Sequence, residues 1–346
     1  MKVVVGMSGG VDSSVAAYLL KQEGYEVVGL FMKNWEEKNA DGICTSATDY
    51  EDAARVANLL QIPFYSVNFV QEYWDLVFSH FVEELKMGYT PNPDVLCNRE
   101  IKFQVFFEKA KSLGADFLAT GHYCQIKDGL LLKGADPGKD QSYFLYTLKE
   151  EILNQVLFPI GHLPKSEVRR IAKDIGLPVH DKKDSTGICF IGKRNFKTFI
   201  SQYIPYQKGD FENLKGEIIG KHDGAAYYTI GQRKGLGIGG PGEAWFVVGK
   251  DMQRNVVFIE QGSDHPALYA PGLIAIEPTT KNFPKRCRAK IRYRQEDQPC
   301  SVEVIDNHAV NVTFDTPQRA ITPRQSIVFY DGKICLGGAL IEKAFM

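Results

Sequence analysis

The first part of the chain alternates between apolar runs of strand length and amphipathic segments with helical spacing. Val3, Val4 and Val5 are consecutive β-branched residues, typical of a buried strand, and a helical apolar spacing follows until Gly24. Further strands are predicted over 25–31, 64–69 and 116–120, and helices over 49–60, 74–85, 100–114 and 164–176. This alternation predicts an α/β fold with a parallel sheet between helices. Ligands are expected at the carboxyl ends of its strands.

Shorter alternating runs, separated by glycines and charged turns, replace this pattern beyond residue 205. Such runs are typical of small β-barrels, and they occur over 216–219, 225–230, 245–249 and 256–260. After a break at 265–272, similar runs follow over 289–293, 301–305, 309–314 and 326–330. We therefore predict three domains: an α/β domain over 1–204, a central small β-domain over 205–265 and a C-terminal β-barrel over 266–346.

Composition narrows the classes of protein that fit these elements. The 346 residues are 44% hydrophobic and 24% charged, and no apolar run is long enough to span a bilayer, so we expect a cytoplasmic globular protein. Seven cysteines without a CxxC pair favour reduced thiols over a disulfide framework or a zinc module. With a formal net charge of −1, a nucleic-acid partner would need a local basic patch.

The loop between the first strand and the first helix is the strongest candidate site. Ser8, Gly9, Gly10 and Ser13 leave backbone N–H groups accessible at a helix N-terminus, which favours an anion such as a nucleotide phosphate. No Lys follows Gly10, so the loop is not of the kinase type. The run Ser8–Ser14 instead resembles the PP-loop of enzymes that split ATP into AMP and pyrophosphate. A glycine-rich structural turn is the alternative.

Two cysteines have surroundings that favour reactivity. Cys97 is predicted near the N-terminus of a helix, where the helix dipole lowers a thiol pKa, although a cysteine taken alone is more often a small buried hydrophobe. Asp94, three residues earlier, is a candidate acid/base or a helix cap. Cys189 lies between two glycines with several basic residues nearby in sequence, and its alternative is again structural.

Other polar positions have weaker signals. Gly121 follows a predicted strand and permits close backbone approach, while His122 beside it could touch a substrate or be structural. Lys139, Asp140 and Gln141 lie in a loop before an aromatic run that we expect in the core. The helix over 164–176 has a basic face that we interpret as solvated, formed by Lys165, Arg169, Arg170 and Lys173.

A basic patch occurs near the C-terminus of the chain. Seven of the residues over 281–294 are Lys or Arg, and none is acidic. A strand over 288–294 would place its four cations on one face, because side chains alternate with a period of two. This stripe fits a phosphate backbone, and the alternative is an edge strand protected by charge from aggregation.

Taken together, these motifs identify the chain as resembling the tRNA-uridine 2-sulfurtransferases, the 2-thiouridylase family called MnmA or TrmU. The resemblance covers essentially the whole chain and rests on five segments, at 6–13, 92–98, 119–123, 139–142 and 184–192. It implies an adenine nucleotide alpha hydrolase-like PP-loop domain followed by two small β-barrel-like domains, the last of which binds tRNA. It also implies ATP-dependent 2-thiolation of the wobble uridine of tRNA.

The resemblance assigns roles residue by residue. Cys97 is the nucleophile position, Cys189 the persulfide carrier and Asp94 an acid/base candidate. The family positions that contact ATP are Gly6, Met7, Ser8, Gly9, Gly10, Val11, Asp12, Ser13, Met32 and Gly121. The positions that contact tRNA are Asn92, Pro93, Asp94, His122, Lys139, Asp140, Gln141, Tyr293, Arg294 and Gln325. The implied partners are tRNA and a cysteine desulfurase or sulfur-relay protein, with Mg²⁺ accompanying ATP. Separately, the spacing of the histidines predicts no tightly bound metal, and we expect a monomer.

Two other functions remain open from the sequence. Another PP-loop enzyme could amidate a small adenylated substrate, in which case both cysteines would be dispensable. A non-catalytic RNA-binding protein that senses nucleotide would bind tRNA without releasing pyrophosphate.

Overall fold

The computed structural model describes residues 1–36, 45–184, 195–305 and 308–345. The chain divides into two compact units. The first comprises Met1–Phe78, Pro93–Lys193 and Gly332–Cys335, and the second comprises Ser79–Asn92, Arg194–Asp331 and Leu336–Met346. No described helix is long and apolar enough to cross a membrane. The three-domain division stays a prediction.

A parallel sheet forms the centre of the first unit. Its strands are β1 (Lys2–Gly6), β2 (Glu26–Lys33), β3 (Phe64–Asn68), β4 (Phe117–Ala119) and β7 (Val156–Leu157). Between β4 and β7 the chain forms an antiparallel hairpin of β5 (Cys124–Lys127) and β6 (Leu130–Lys133), which is not part of this sheet. The sheet order is β3-β2-β1-β4-β7, with parallel pairing throughout. Chain order therefore reverses between β1 and β4, and this switch point is where α/β sheets bind ligands. The predicted parallel α/β fold is confirmed.

Helices of the first unit pack against the sheet as the apolar spacing predicts. The described helices are α1 (Val11–Gln22), α2 (Thr45–Leu59), α3 (Val70–Tyr73), α4 (Ser79–Lys86), α5 (Pro93–Leu96), α6 (Phe106–Ser112), α7 (Glu150–Leu153), α8 (Lys165–Asp174) and α9 (Phe196–Ile200), with π-helical segments at Trp74–Phe78 and Cys97–Val105. Of these, α4 and α9 belong to the second unit. The valines of β1 are fully buried and pack with apolar residues of α1, α2 and α8. The helix predicted from residue 100 begins earlier, at Pro93, because proline suits a first helical position.

The second unit contains two β-structures. A four-stranded sheet, in the order β10-β11-β8-β9, comprises β8 (Gly209–Glu212), β9 (Ile218–His222), β10 (Trp245–Asp251) and β11 (Val256–Gln261). The run predicted as a strand over 225–230 is instead a 3₁₀ turn at Ala225–Tyr227.

A closed barrel follows this sheet along the chain. Its strands are β12 (Tyr269–Ile276), β13 (Arg286–Lys290), β14 (Gln298–Val304), β15 (Ala309–Arg319), β16 (Ser326–Asp331) and β17 (Ile334–Phe345). The order β12-β15-β14-β13-β16-β17 closes because β12 also pairs with β17. Fully buried apolar side chains, among them Leu273, Val310 and Phe329, fill the interior. The predicted barrel class of this part of the chain is confirmed.

Candidate active site

The loop between β1 and α1 has a shape fixed by its own hydrogen bonds. The Ser8 N–H donates to Ser13 Oγ at 3.2 Å, and Ser14 Oγ donates to the Gly10 carbonyl at 2.8 Å. Gly9 has φ +73°, and a Cβ there would lie 2.2 Å from the Asp49 carbonyl oxygen. The loop thus needs glycine at this position on two counts, conformation and space. Its N–H groups lie at the first turn of α1, where an anion is stabilised.

The two other predicted nucleotide positions lie at the same edge of the sheet. Met32 is near the carboxyl end of β2, and Gly121 follows β4. A Cβ on Gly121 would lie 2.7 Å from the Ser13 nitrogen, so only glycine allows the chain after β4 to pass against the first turn of α1. The structure therefore brings the loop, Met32 and Gly121 to one edge of the sheet.

Asp12 is held by two groups that the sequence did not point to. Lys165 Nζ donates to both carboxylate oxygens of Asp12, at 2.7 and 2.8 Å, and the Tyr123 hydroxyl donates to Oδ1 at 2.7 Å. Lys165 is only 9% exposed. The interpretation of its helix face as uniformly solvated is therefore wrong at this position, since the first turn of α8 points its lysine at the loop.

Asp184 extends this network. Its carboxylate lies 2.7 Å from Lys165 Nζ, 2.6 Å from Lys139 Nζ and 2.9 Å from a guanidinium nitrogen of Arg169. Burial acts to raise the pKa of Asp184, but hydrogen bonds from Lys139 and Lys165 outweigh it and hold the pKa at about 2. Asp184 is therefore ionised at neutral pH. Lys139, predicted as a tRNA contact, is engaged here with Asp184.

A second lysine fixes the other side of the loop. Lys182 Nζ donates to the Gly9 carbonyl at 2.9 Å and to the carboxylates of Asp49 and Asp52 at 2.7 and 2.6 Å. Burial lowers the pKa of Lys182, but the hydrogen bonds to the two carboxylates raise it overall. In the sequence, Lys182 and its neighbour Lys183 indicated only a positively charged environment near Cys189. Nothing there indicated that Lys182 contacts the loop between β1 and α1.

Cys97 lies inside a helical segment and not at its end. It follows α5 directly and is 1% exposed, so the predicted position close to a helix N-terminus is wrong by one turn. Asp94 lies one turn earlier in the same segment, and burial raises its pKa although Lys102 opposes the effect. Asn98 Oδ1, next to the thiol in sequence, is buried with no hydrogen-bond partner among the described residues. Cys189 lies outside the described residues.

Several predicted tRNA contacts of the first unit are buried. His122 is 8% exposed, its Nδ1 lies 2.6 Å from Thr120 Oγ1, and burial holds its pKa well below the usual value, so the imidazole is neutral. The Asp140 carboxylate accepts hydrogen bonds from the Gly134 and Ser142 N–H groups at 3.1 Å. Gln141 Oε1 accepts from the Tyr123 N–H at 2.9 Å. In this structure these side chains shape the loops after β4, and their contacts with tRNA stay predictions.

The predicted cationic strand face is wrong. β13 ends at Lys290, which is 8% exposed and has its ammonium 5.2 Å from the centre of the Tyr330 ring. Arg292 lies beyond the strand and donates to the Ala320 carbonyl at 2.7 Å. Two further arginines form ion pairs, Arg286 with Asp315 and Arg288 with Asp297. Their acidic partners come from elsewhere in the barrel, so the local sequence could not reveal them.

The predicted tRNA positions of the second unit have different surroundings. Arg294 is exposed in the turn after β13, with its guanidinium carbon 5.9 Å from the centre of the Tyr293 ring. Gln325 Nε2 donates to the Thr90 carbonyl, and Asn92 lies two residues beyond Thr90. Arg294 is thus the member of this set whose charge is exposed to solvent.

An anion-binding loop at the switch point of a parallel sheet defines the first unit as a PP-loop nucleotide-binding domain. Models of known protein families match three successive parts of the chain, and the first of them covers this domain. Residues 1–193 match a model described as tRNA methyl transferase HUP domain, 197–261 a tRNA methyl transferase PRC-barrel domain and 268–341 an aminomethyltransferase beta-barrel domain.

Curated relatives match over nearly the full length. The chain is 60% identical to the tRNA-specific 2-thiouridylase MnmA of Protochlamydia amoebophila, covering 99% of this chain and 93% of that protein. It is 57% identical to the protein of the same name from Listeria monocytogenes and 58% identical to MnmA 1 of Geobacillus kaustophilus, each covering 99% of this chain and 95% of the relative. The chain therefore belongs to the tRNA-specific 2-thiouridylase family.

Proposed function

We propose that the protein is a tRNA-uridine 2-sulfurtransferase that replaces the C2 oxygen of the wobble uridine with sulfur, using ATP. The observation that carries this proposal is the 60% identity over 99% of the chain to a relative named tRNA-specific 2-thiouridylase. The geometry of the first unit supports it, because an anion-binding loop and a helix with a thiol and a half-buried carboxyl belong to the same compact unit.

The first chemical step is activation of the base. Oxide is a poor leaving group, so the uridine O2 attacks the α-phosphorus of ATP, and pyrophosphate departs. The N–H groups of residues 8–13 stabilise the phosphate charge at the start of α1, while Met32 and Gly121 lie at the edge where the rest of the nucleotide binds. Mg²⁺ prefers phosphate and carboxylate oxygens, so it would accompany ATP mainly through the phosphates, since the Asp12 carboxylate beside the loop accepts hydrogen bonds from Lys165 and Tyr123.

The second step is sulfur transfer. Cys189 carries the incoming sulfur as a persulfide, received from a cysteine desulfurase or a relay protein, and its terminal sulfur attacks C2 so that AMP leaves with the oxygen. The Cys97 thiolate then attacks the Cys189 sulfur, which breaks the S–S bond to the tRNA, releases 2-thiouridine as the thiolate and leaves a Cys97–Cys189 disulfide that a small thiol in excess reduces. The uridine leaves its stack to reach these groups. We propose a cytoplasmic monomer as the working form.

One assay separates this function from the two alternatives. The protein is incubated with unmodified tRNA, ATP, Mg²⁺ and a persulfide donor, and 2-thiouridine, AMP and pyrophosphate are measured. Sulfur transfer gives all three products. Amidation of a small substrate gives AMP and pyrophosphate that do not depend on tRNA, and a nucleotide sensor gives none of the products. Either of the last two results contradicts the proposal.

We expect Asp94→Asn to lower the thiolation rate by about 100-fold or more, as for loss of a general base. A base must be ionised to accept a proton. Because burial raises the pKa of Asp94, the wild-type rate should fall as the pH drops through that raised pKa. The asparagine variant should show a low rate without this acidic limb. The check is the pH dependence of single-turnover thiolation, and an acidic limb that persists in Asp94→Asn would exclude Asp94 as the base.

We expect Arg294→Ala to weaken tRNA binding and to reduce the slope of log affinity against log salt concentration by about 1, since one phosphate contact is lost. The measurement is tRNA binding by filter retention at several salt concentrations. Lys215→Ala is the matched control, because Lys215 is an exposed cation of the same unit that no motif assigns to tRNA. Equal slopes for Arg294→Ala and Lys215→Ala would remove Arg294 from the tRNA interface.

A further inference from the structure

Two cysteines face each other in the C-terminal barrel, away in sequence from the cysteines of the proposed reaction. Cys287 of β13 and Cys300 of β14 are directly opposite in the antiparallel pairing. Their sulfur atoms are 3.8 Å apart, and both residues are thiols. Neither is assigned a role in the sulfur transfer proposed above.

The backbone at this pair suits a covalent link. The Val302 N–H donates to the Lys285 carbonyl at 3.0 Å, which makes residues 285 and 302 a hydrogen-bonded pair. Pairs alternate along an antiparallel ladder, so Cys287 and Cys300 are of the same type, with a Cα separation of about 5.5 Å. Disulfides span Cα separations of roughly 4.4–6.8 Å. Side-chain rotation with a small approach of the two strands can therefore bring the sulfur atoms, which are 3.8 Å apart, to bonding distance.

The two thiols differ in access and in acidity. Cys300 is fully buried, whereas Cys287 is half-buried beside the exposed Arg286. The hydrogen bond between the thiols lowers the pKa of Cys287, and the Arg286 guanidinium acts in the same direction, against burial and the Asp331 carboxylate. Cys287 is thus the member that reaches solvent and ionises first, which is the property of an attacking thiol.

We propose that Cys287 and Cys300 form a thiol–disulfide exchange site that takes low-molecular-weight disulfides. The Cys287 thiolate attacks one sulfur of the small disulfide, forming a mixed disulfide and releasing one small thiolate. Cys300 then loses its proton and attacks the Cys287 sulfur, which releases the second small thiol. The net change is two protein thiols and one small disulfide converted to one protein disulfide and two small thiols. Small thiols in excess reverse it.

The bond would close a short loop in the barrel. Residues 288–299 between the two cysteines include the turn with Tyr293 and Arg294. Oxidation should therefore raise the midpoint of thermal unfolding of the second unit, because a crosslink restricts the unfolded chain.

The test is oxidation of the wild-type full-length protein with oxidised glutathione, followed by alkylation and peptide mapping. Cleavage after Glu296 separates the two cysteines, so a Cys287–Cys300 disulfide appears as a linked peptide pair that dithiothreitol removes. In Cys300→Ala we expect Cys287 to retain one glutathione as a stable mixed disulfide. In Cys287→Ser we expect Cys300 to remain alkylatable only after unfolding. Cys335→Ser, which removes another buried barrel cysteine, should give the same linked pair as the wild type.

The proposal is overturned if Cys287 and Cys300 both stay reduced while glutathione oxidises other cysteines, or if either one links to a different cysteine. Because the readout is the linkage in the wild-type protein, it does not depend on how well the variants fold. Nor does it depend on the sulfur transfer proposed above, so the two can fail separately.

Discussion

Cys97→Ser and Cys189→Ser should each reduce tRNA thiolation by about a thousandfold or more, the scale of loss when a nucleophile is removed. A serine oxygen cannot carry the transferable sulfur of a persulfide or complete the disulfide exchange that releases it. Neither cysteine belongs to the anion-binding loop, which spans residues 8–13. We therefore expect both variants to retain tRNA-dependent release of pyrophosphate in a single turnover.

The measurement is 2-thiouridine by mass spectrometry of digested tRNA, with pyrophosphate measured in the same samples. Cys335→Ser is the matched control, because Cys335 is a buried cysteine outside the proposed pair. It should thiolate tRNA at close to the wild-type rate. Intact thiolation in both Cys97→Ser and Cys189→Ser would refute the sulfur pathway and favour an enzyme of the amidating kind.

Lys165→Met should differ from the cysteine variants, because it should slow adenylation, the first step. We expect the rate of adenylation to fall by about 100-fold or more, as when one preorganised charged donor is removed from a site. Lys165 Nζ lies 2.7 Å from both Asp12 Oδ1 and Asp184 Oδ1. Without this cation the two carboxylates repel each other, and one of them must move or bind a proton. Because Asp12 lies in the first turn of α1, the displacement reaches the loop that we propose holds the phosphates.

The measurement is tRNA-dependent pyrophosphate release from ATP, with persulfide donor absent so that only the first step is scored. Lys173→Met is the matched control, since Lys173 is exposed on the same helix. Breaking a buried ion pair also costs stability, about 3–5 kcal/mol. Thermal unfolding of both variants is therefore recorded, and the rates are compared well below the lower midpoint. Equal pyrophosphate release by Lys165→Met and Lys173→Met would remove Lys165 from the nucleotide site.

Local patterns predicted the fold and the loop because both depend on neighbouring residues. The β-branched run of β1, the glycines after it and the helical spacing of α1 are readable without knowledge of distant contacts. The turn of the β5–β6 hairpin also carries a local signal, because Asp128 and Gly129 both have positive φ, which a two-residue turn of this type requires and an Asp-Gly pair readily adopts.

The parts that sequence could not predict depend on partners outside the local pattern, from 9 to 153 positions away along the chain. Lys165 looks like a solvated residue of an amphipathic helix, and only the fold brings it to Asp12. The arginines of β13 look like a phosphate-binding stripe, but Asp297 and Asp315 neutralise two of them. Charge patterning therefore gave the wrong placement in two cases: it put a buried lysine in solvent, and it put four cations on one face of a strand that ends at Lys290.

The central claim is that the sulfur in the product passes through Cys189, and one measurement tests it most directly. The protein is loaded with a ³⁵S-persulfide, freed of donor, and given unmodified tRNA with or without ATP and Mg²⁺. We predict that ³⁵S moves to tRNA as 2-thiouridine only when ATP is present, in an amount no greater than that of the loaded enzyme, and that Cys189→Ser transfers none. Label that stays on the protein with ATP, or equal labelling of tRNA by Cys189→Ser, would contradict it.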